Sequence, residues 1–351
     1  MRRLTDFAIN LKYAFRFHKP LLTLRLTKTV LRSYVFKRTP LRYVDFCLDF
    51  TCNLNCQHCF AQALKRSDCR TISIDEYRDI AEQCMALGVV NFSFQGGEPL
   101  LIENLSEIIG VFEPQRNLIS VTTNGTLLTE PKIKELKKMG VDILTVSLDS
   151  SIASEHDTFR GVNGSFEKTL RGITLALKNG LRVTIGCVVT HASLRSEGFL
   201  GLINTAQRLK SVLYIILPVA AGRWANRKDI YLTDSDLLFI DELTRKYKYV
   251  RTDFLGNLGG YGCGAAKEIL YITPYGDVLT CPFVHISFGN VLNERLSVIR
   301  KRALKNGYFA GYHKKCLAST DEDFIRLYLS KTLTANRLPL RWDEVFNEGA
   351  I

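Results

Sequence analysis

Three closely spaced cysteines constrain this chain more than any other feature. Cys52, Cys56 and Cys59 follow the pattern C-x3-C-x2-C, directly after an alternating run, residues 42–48, that predicts a β-strand. Iron–sulfur clusters are ligated by cysteine thiolates. Three thiolates on one short loop can hold three corners of a four-iron cube. The fourth iron then has no protein ligand and is open to bind and activate a small molecule.

A structural zinc site and buried thiols are the two other uses that such cysteines have. Zinc usually takes four ligands in spaced pairs, and no second pair lies nearby in the sequence. His58, adjacent to Cys59, is badly placed to complete a tetrahedron. Buried free cysteines are common, but three in eight residues, flanked by Asn and Gln, are not typical of a core. The pattern therefore favours a cluster.

The cysteine loop resembles the signature of the radical S-adenosylmethionine (SAM) enzymes. Their motif has this spacing with an aromatic residue before the third cysteine, and His58 stands at that position here. A second element, Gly96-Gly97-Glu98-Pro99, follows the next predicted strand. Its glycines allow close approach of the backbone to a ligand, and it resembles the family element that binds the amino group of SAM. The resemblance thus implies a SAM-cleaving 4Fe–4S cluster and SAM as cofactors.

Further SAM contacts are implied at the ends of later strands. Asn124 lies in a Thr-Asn-Gly triplet after the third predicted strand, and Ser147 and Asp149 lie in a Ser-Leu-Asp-Ser segment after the fourth. Arg160 resembles the arginine that contacts the SAM carboxylate, and Leu217 stands where family members pack the adenine. The alternatives for Asn124, Asp149 and Arg160 are a turn, a helix cap or a surface ion pair.

The resemblance implies a radical SAM enzyme of the oxidoreductase or transferase type. The cluster supplies one electron that cleaves SAM, and the resulting 5′-deoxyadenosyl radical removes a hydrogen atom from the substrate. An external one-electron donor of the flavodoxin or ferredoxin type is then a partner. The expected substrate is a peptide or protein. A lipid-linked, carbohydrate or tetrapyrrole substrate at the membrane surface is the alternative, and a non-enzymatic iron–sulfur module is the competing class.

The rest of the pattern predicts an α/β fold. Six strands alternate with helices between residues 43 and 217, which indicates a parallel sheet with right-handed crossovers. We expect a partial (β/α)6 TIM-like barrel with its active site at the carboxyl ends of the strands. Ser73 and Glu76 form a capping box, and Gly88, Gly140 and Gly180 mark helix ends.

A second set of cysteines follows the predicted barrel. A predicted hairpin lies between Cys263 and Cys281. Twelve residues separate Cys263 from Gly276, and four separate Gly276 from Cys281. Cys316 follows, with His313 three positions before it. This segment resembles the SPASM or twitch extension, whose cysteines bind auxiliary iron–sulfur clusters. The full extension has seven cysteines, so two clusters are excluded here. One cluster with His313 as the fourth ligand, one cluster with an open iron, and an empty site stay open.

The basic charge of the chain is concentrated at its start. Residues 1–42 hold eleven Lys and Arg against one acid, Asp6, and so carry +10 of the net charge of +12. Two amphipathic helical runs, split at Pro20, are predicted there. Such an arm either packs on the barrel with a solvated basic face or binds an anionic membrane surface. No motif accompanies the charge that would indicate nucleic acid.

We divide the chain into five segments. These are a basic amphipathic arm (1–42), the barrel (43–224), a connecting helical segment (225–255), a SPASM/twitch-like auxiliary cluster domain (256–318) and a helical tail (319–351). Ten cysteines without a recognisable signal peptide indicate a reducing compartment. No apolar run reaches the ~18 residues of a membrane span. We therefore expect a cytoplasmic protein, with peripheral binding at the inner membrane face as the further hypothesis.

Overall fold

One mixed sheet organises the described part of the chain. The computed structural model describes residue 16 and residues 19–35, 41–252 and 262–346. Within these ranges the strands are β1 (Tyr43–Cys47), β2 (Asn91–Gln95), β3 (Leu118–Thr123), β4 (Ile143–Ser147), β5 (Arg182–Val188), β6 (Val212–Ile216), β7 (Val250–Thr252), β8 (Ile269–Ile272), β9 (Asp277–Leu279), β10 (Ile286–Asn290) and β11 (Leu340–Arg341). Their order across the sheet is β11-β10-β9-β8-β1-β2-β3-β4-β5-β6-β7.

Helices connect the strands of the central parallel region. The described helices are α1 (Pro20–Tyr34), α2 (Ile74–Leu87), α3 (Leu105–Val111), α4 (Glu130–Lys138), α5 (Ala153–Arg160), α6 (Ser165–Lys178), α7 (Glu197–Leu209), α8 (Asp234–Lys246), α9 (Leu296–Lys305), α10 (Gly307–Ala310), α11 (Glu322–Phe324), α12 (Ser330–Leu333) and α13 (Trp342–Val345). Strands β1 to β6 pair in parallel and in chain order. The predicted α/β fold with a partial barrel is confirmed. None of these helices combines the length and the apolar character needed to cross a bilayer.

Local sequence signals explain where the helices begin and end. The side chain of Ser73 accepts from the backbone N–H of Glu76, and the carboxylate of Glu76 accepts from the N–H of Ser73 at 2.8 Å. This capping box satisfies N–H groups that have no partner inside the helix. At the other end of α2, Gly88 adopts the left-handed conformation with φ 102°, which glycine reaches without a side-chain clash.

The side chains of the central strands divide into an apolar outer layer and a more polar inner layer. Phe46 of β1 and Phe92 and Phe94 of β2 point towards the helices, where their rings lie 4.9–5.0 Å from the ring centroid of Phe112. Each buried phenylalanine of this kind contributes about 1.5–3 kcal/mol. Because side chains alternate along a strand, Asp45 of β1 points to the inside of the barrel.

The C-terminal hairpin continues the barrel sheet. Strands β8 and β9 form the predicted antiparallel hairpin, and β8 pairs in parallel with β1. The junction is held where Glu268 O accepts from Tyr43 N at 2.9 Å and the Glu268 carboxylate pairs with Arg42. The segment 256–318 therefore shares its sheet with the barrel.

Two segments predicted to be helical also contribute strands. Residues 250–252, in the connecting segment 225–255, form β7 and pair in parallel with β6. Residues 340–341, in the tail 319–351, form β11 and pair with β10. Strands of three and two residues are too short to show an alternating pattern, and the sequence therefore does not reveal them.

Two basic residues of the arm face the barrel, which corrects the expectation of an outward basic face. Arg16 and Lys19 are 5% and 4% exposed. Arg16 Nε lies 2.8 Å from Asp142 Oδ1, and Lys19 Nζ lies 2.5 Å from Asp142 Oδ2, which also accepts from Ile119 N. The remainder of the first predicted helical run lies outside the described residues.

Helix α1 covers the N-terminal edge of the central strands. Leu22 is fully buried against Leu118 and Ile143, the first residues of β3 and β4. Arg25 donates to the side chain of Asn117, just before β3, and to Val89 O at 2.7 Å, just before β2. Basic side chains of the arm therefore fix α1 to the edge opposite the cysteine loop.

We predict that the Asp142→Asn substitution destabilises the protein by about 3–5 kcal/mol, because it leaves two buried cations without their anion. The measurement is urea unfolding followed by circular dichroism. Asp229→Asn is the matched control, since Asp229 pairs with Arg227 on an exposed loop, and it should leave the midpoint unchanged. Equal midpoints for both variants would contradict a stabilising role for the buried ion pairs.

Candidate iron–sulfur and S-adenosylmethionine site

The loop with Cys52, Cys56 and Cys59 lies directly after β1, at the carboxyl edge of the parallel strands. Each of the three thiols is partly exposed, and all ten cysteines of the chain lie outside disulfides. Burial raises the pKa of Cys52 and of Cys56, and at Cys56 the Arg160 guanidinium opposes that shift. The loop therefore presents three accessible thiols on one irregular segment.

Peptide groups from three other segments of the chain hold the cysteine loop. These contacts come from the segment after β2, from the end of α5 and from the segment after β6. They are Gly97 N to Asp49 O (2.8 Å), Glu98 N to Thr51 O (2.8 Å), Asn55 N to Arg160 O (3.1 Å), Gln57 N to Phe159 O (2.9 Å) and Arg223 N to Cys59 O (3.1 Å). The loop has no regular secondary structure of its own, so these bonds set its path.

Glycines make this close approach possible. A methyl group added at any of four positions would collide with a carbonyl oxygen of the loop. The distances from the added Cβ are 2.3 Å for Gly96 to Asp49 O, 2.1 Å for Gly97 to Thr51 O, 2.5 Å for Gly161 to Asn55 O and 2.3 Å for Gly222 to Cys59 O. Only glycine fits in such positions. Gly96 and Gly97 were predicted as ligand-binding residues, whereas Gly161 and Gly222 were missed.

Glu98 is buried and tied to two loops. Its carboxylate accepts from Thr123 Oγ1 at 2.7 Å, from Asn124 N at 2.8 Å and from Leu100 N at 3.1 Å. Burial raises the pKa of Glu98 to about 7, although these donors oppose the shift. An ionised carboxylate has about four acceptor sites. Glu98 can therefore brace this corner of the site and still accept from one further donor.

Asn124 connects the end of β3 to the cysteine loop. Its side-chain amide donates to Asn53 Oδ1 at 2.8 Å, and its own Oδ1 accepts from Thr126 N at 2.9 Å. Its backbone carbonyl accepts from Thr169 Oγ1 at 2.8 Å. The residue is therefore a structural link between two loops as well as a predicted SAM contact.

Asp149 and Arg160 form a buried ion pair beside Cys56. Arg160 Nε and Nη2 each lie 2.7 Å from Asp149 Oδ2, and Arg160 Nη1 lies 3.7 Å from Cys56 Sγ. Although burial opposes ionisation, the Arg160 guanidinium holds the pKa of Asp149 below its usual range. Ser147, the last residue of β4, is in register with Gly186 of β5.

The ring of His58 packs among aromatic side chains. Its ring stacks on Phe159 with centroids 4.4 Å apart and lies 5.6 Å from Trp224. Burial lowers the pKa of His58 to about 3. Within the described ranges, no three Cys, His, Asp or Glu side chains converge on the position of a single metal ion. His58 thus fills the aromatic position of the motif, and the thiols remain suited to a cluster.

The C-terminal cysteines line a cavity inside the barrel. Cys263, Cys281 and Cys316 border the same cavity of about 360 Å³, which also reaches Leu217 at the carboxyl edge. Arg42, just before β1, lies at its N-terminal end. His313 O accepts from Cys263 N at 2.7 Å, but the His313 ring stacks on Tyr308 with centroids 5.9 Å apart. The structure therefore places all three cysteines in the wall of one cavity.

Inward-facing residues of the strands, which sequence reasoning did not single out, form the wall of this cavity. Most are hydroxyl or amide side chains, together with one carboxylate. They include Tyr43, Asp45, Asn91, Ser120, Thr122, Thr145, Thr184 and Tyr214. Their signal in the sequence is the alternation of polar and apolar residues along each strand. The polar residues of that alternation line the interior of the barrel, the lumen, together with apolar residues such as Ile143 and Ile216.

Comparison with known protein families agrees with this geometry. The profile of the Radical SAM superfamily matches residues 50–196, and that of an iron–sulfur cluster-binding domain, SPASM, matches residues 263–318. The chain is 32% identical over 275 residues to the AdoMet-dependent heme synthase of Nitratidesulfovibrio vulgaris, which covers 69% of this chain and 74% of that protein. It is 30% identical over 268 residues to the mycofactocin maturase MftC of Mycobacterium tuberculosis, covering 70% and 66%.

Solved structures share the fold. SuiB of Streptococcus suis bound to the precursor peptide SuiA has a TM-score of 0.63 at 18% identity, covering 95% of this chain and 82% of that one. The structure of anSMEcpe with bound AdoMet has a TM-score of 0.58 at 19% identity, covering 80% and 84%. At such identities the likeness is one of fold.

The fold and the two matched regions define an iron–sulfur enzyme that uses SAM. The chain belongs to the radical SAM superfamily and carries a C-terminal SPASM domain.

We predict that Gly97→Ala, in a protein whose Cys263, Cys281 and Cys316 are replaced by alanine, reduces the iron content after reconstitution by more than half. Its Cβ would lie 2.1 Å from Thr51 O, so the cysteine loop must move. Gly110→Ala is the matched control, because nothing lies within 4 Å of its added Cβ in α3, and alanine favours a helix. Iron and sulfide analysis after anaerobic reconstitution is the measurement, and full iron content in Gly97→Ala would rule out the proposed packing constraint.

Proposed function

We propose that this enzyme modifies a peptide or protein by radical SAM chemistry, with its SAM-cleaving 4Fe–4S cluster on Cys52, Cys56 and Cys59. The observation that supports this most directly is the position of the cysteine loop. Four glycines and five backbone hydrogen bonds hold it at the carboxyl edge of the barrel, next to the lumen, which extends to Leu217 at that edge. The remaining residues bind SAM, orient the substrate and exclude water.

The proposed SAM contacts follow the predicted residues. The backbone of Gly96 and Gly97 with the carboxylate of Glu98 would hold the amino group, and Leu217 would pack on the adenine. The proposed contacts with the ribose and the carboxylate are Asn124, Ser147, Asp149 and Arg160. Support comes from their positions at consecutive strand ends around the cysteine loop.

The lumen favours a peptide side chain over a tetrapyrrole as the substrate group. Its volume of about 360 Å³ lies at the lower end of the roughly 300–1,000 Å³ found for ligand pockets. Among its described lining residues the basic side chain is Arg42, which already pairs with Glu268. A heme-type macrocycle is wide and carries carboxylates, which call for basic partners. Relatives named as maturases of peptide products, such as MftC and the subtilosin biosynthesis protein AlbA, agree with the proposal.

A tetrapyrrole is the second candidate, because the AdoMet-dependent heme synthases of Nitratidesulfovibrio vulgaris and Methanosarcina barkeri are also similar to this chain. The two candidates are distinguished by which labelled substrate transfers its deuterium to 5′-deoxyadenosine. Transfer of deuterium from a labelled peptide into 5′-deoxyadenosine supports the peptide proposal. Transfer from labelled porphyrin propionates instead would replace it.

We propose one auxiliary cluster on Cys263, Cys281 and Cys316. These three thiols share the lumen, while the ring of His313 packs on Tyr308, which favours an open iron over ligation by His313. An external one-electron donor of the flavodoxin or ferredoxin type would dock at the carboxyl edge. At that edge Asn53, Asn55 and Gln57 of the cysteine loop are exposed to solvent.

We predict that the reconstituted enzyme releases 5′-deoxyadenosine when dithionite and SAM are added, and that a variant with Cys52, Cys56 and Cys59 replaced by alanine releases none. Product is measured by chromatography. Cys84→Ala, in the core of α2, is the control and should keep the activity. A fully loaded wild-type protein without product contradicts the proposal. Iron retained by the triple variant would support the auxiliary cluster, and none retained would mean that the C-terminal site is empty.

The outer face of α1 offers a surface for an anionic membrane. Leu21, Leu24, Leu31 and Val35 are 51%, 66%, 51% and 64% exposed, and Lys28 lies exposed among them. These positions recur at helical spacing, so they form one stripe along the helix. Arg25 was expected beside Lys28 but turns towards the barrel. Insertion of the apolar stripe, with Lys28 near the lipid headgroups, is the proposed mode of binding.

We predict that the protein floats with anionic vesicles at low salt and that the double variant Leu24→Glu/Leu31→Glu does not, because two carboxylates oppose both insertion and the surface charge. Leu238→Glu is the matched control, since Leu238 of α8 is equally exposed, at 67%. Neutral vesicles should bind the wild type less. Equal flotation of all three proteins would exclude α1 as the binding surface.

A further inference from the structure

Arg160 contacts a cysteine of the loop as well as an acidic side chain. Two of its nitrogens lie 2.7 Å from Asp149 Oδ2, and the third, Nη1, lies 3.7 Å from Cys56 Sγ. The residue is 7% exposed. A guanidinium carries five N–H donors in a fixed fork, so both contacts are made from one rigid group.

The position of Arg160 is set by backbone that also shapes the loop. Arg160 ends α5, where its carbonyl accepts from Asn55 N at 3.1 Å. Gly161 follows in the left-handed conformation with φ 71°, and a Cβ added there would lie 2.5 Å from Asn55 O. Asp149, in turn, accepts from Val188 N at 3.1 Å. The guanidinium is therefore held near Cys56 before any ligand binds.

A cation beside a cluster thiolate changes the energy of electron uptake. Reduction adds one negative charge to the cluster, and a hydrogen bond from a cationic donor stabilises that charge. The Asp149 carboxylate offsets part of the positive charge of Arg160 but holds Arg160 Nη1 in position to donate to Cys56 Sγ. By contrast, Cys52 Sγ accepts from a neutral peptide group, Leu54 N, at 3.4 Å.

We propose that Arg160 is a positioning residue for the cluster, donating to Cys56 Sγ and raising the reduction potential of the cluster on Cys52, Cys56 and Cys59. The inference rests on the proposed ligation by these cysteines. It adds a role to the predicted contact between Arg160 and the SAM carboxylate. Since three of the five N–H donors meet Asp149 and Cys56, the guanidinium keeps donors for SAM.

The test is a redox titration of the cluster in the absence of SAM, followed by electron paramagnetic resonance. Cys263, Cys281 and Cys316 are replaced by alanine in every protein so that one cluster responds. At a fixed potential, Arg160→Gln should show an about tenfold lower ratio of reduced to oxidised cluster, or about 59 mV for one electron. Arg160→Lys, which keeps the charge, should lie between. The control Arg195→Gln, which removes a pair with Asp236 away from the loop, should match the parent protein.

An unchanged potential in Arg160→Gln with weakened SAM binding would overturn the inference, because Arg160 would then act on SAM alone. If the Arg160 variants do not hold iron, a second experiment uses the parent protein with ¹⁵N-labelled arginine and measures the coupling of nitrogen to the reduced cluster. The measurement is made in the Arg223→Lys variant, because Arg223 is the other arginine near Cys56 and its Nη1 donates to Cys56 O. Nitrogen coupling to the reduced cluster supports the contact of Arg160 with Cys56, and its absence refutes that contact. A parent protein without any cluster signal would instead refute the proposed function.

Discussion

The irregular loop between Thr51 and Cys59 depends on hydrogen bonds that it cannot make by itself. Its peptide groups pair with the segment after β2, with the end of α5 and with the segment after β6. These three segments are distant in sequence, and only a curved parallel sheet brings its carboxyl edges to one place. The glycines at the contacts are a consequence of the same constraint, because a side chain would separate backbone from backbone. The barrel therefore holds the cysteine loop in its conformation.

The sequence predicts the parts of this frame that have a local signal. The capping box before α2, the glycine after it and the alternation in β1 lie where their patterns place them. Helix α5 was missed because its eight residues carry neither a side-chain cap nor a strong apolar stripe. The contact of Arg160 with Cys56 spans 104 residues, and no periodicity reports such a distance. The sequence therefore does not predict which side chains meet when they are far apart along the chain.

The charge of the arm illustrates the same limit. A count of basic residues describes Arg16, Lys19 and Arg25 as a solvated or membrane-facing surface, since charged side chains are rarely buried. The structure pairs the first two with Asp142 and directs the third to backbone carbonyls and Asn117. A buried ion pair offsets its cost of desolvation only when its geometry and additional hydrogen bonds are favourable. Asp142 meets that condition through its further bond to Ile119 N.

The two cysteine sets lie towards opposite edges of the barrel, and this arrangement bears on how a substrate enters. The lumen is bordered at its N-terminal end by Arg42 and the C-terminal cysteines, and α1 packs on the same edge of β3 and β4. The cysteine loop lies across the sheet, at the other end of strands of five residues, or roughly 16 Å at 3.3 Å per residue. If α1 rests on a membrane, the carboxyl edge of the barrel, with the cysteine loop, faces away from the lipid. A substrate anchored in the bilayer would then have to reach around the barrel to the cysteine loop, whereas a peptide in solution would not. The membrane proposal and the peptide proposal are therefore compatible, and together they oppose a lipid-linked substrate.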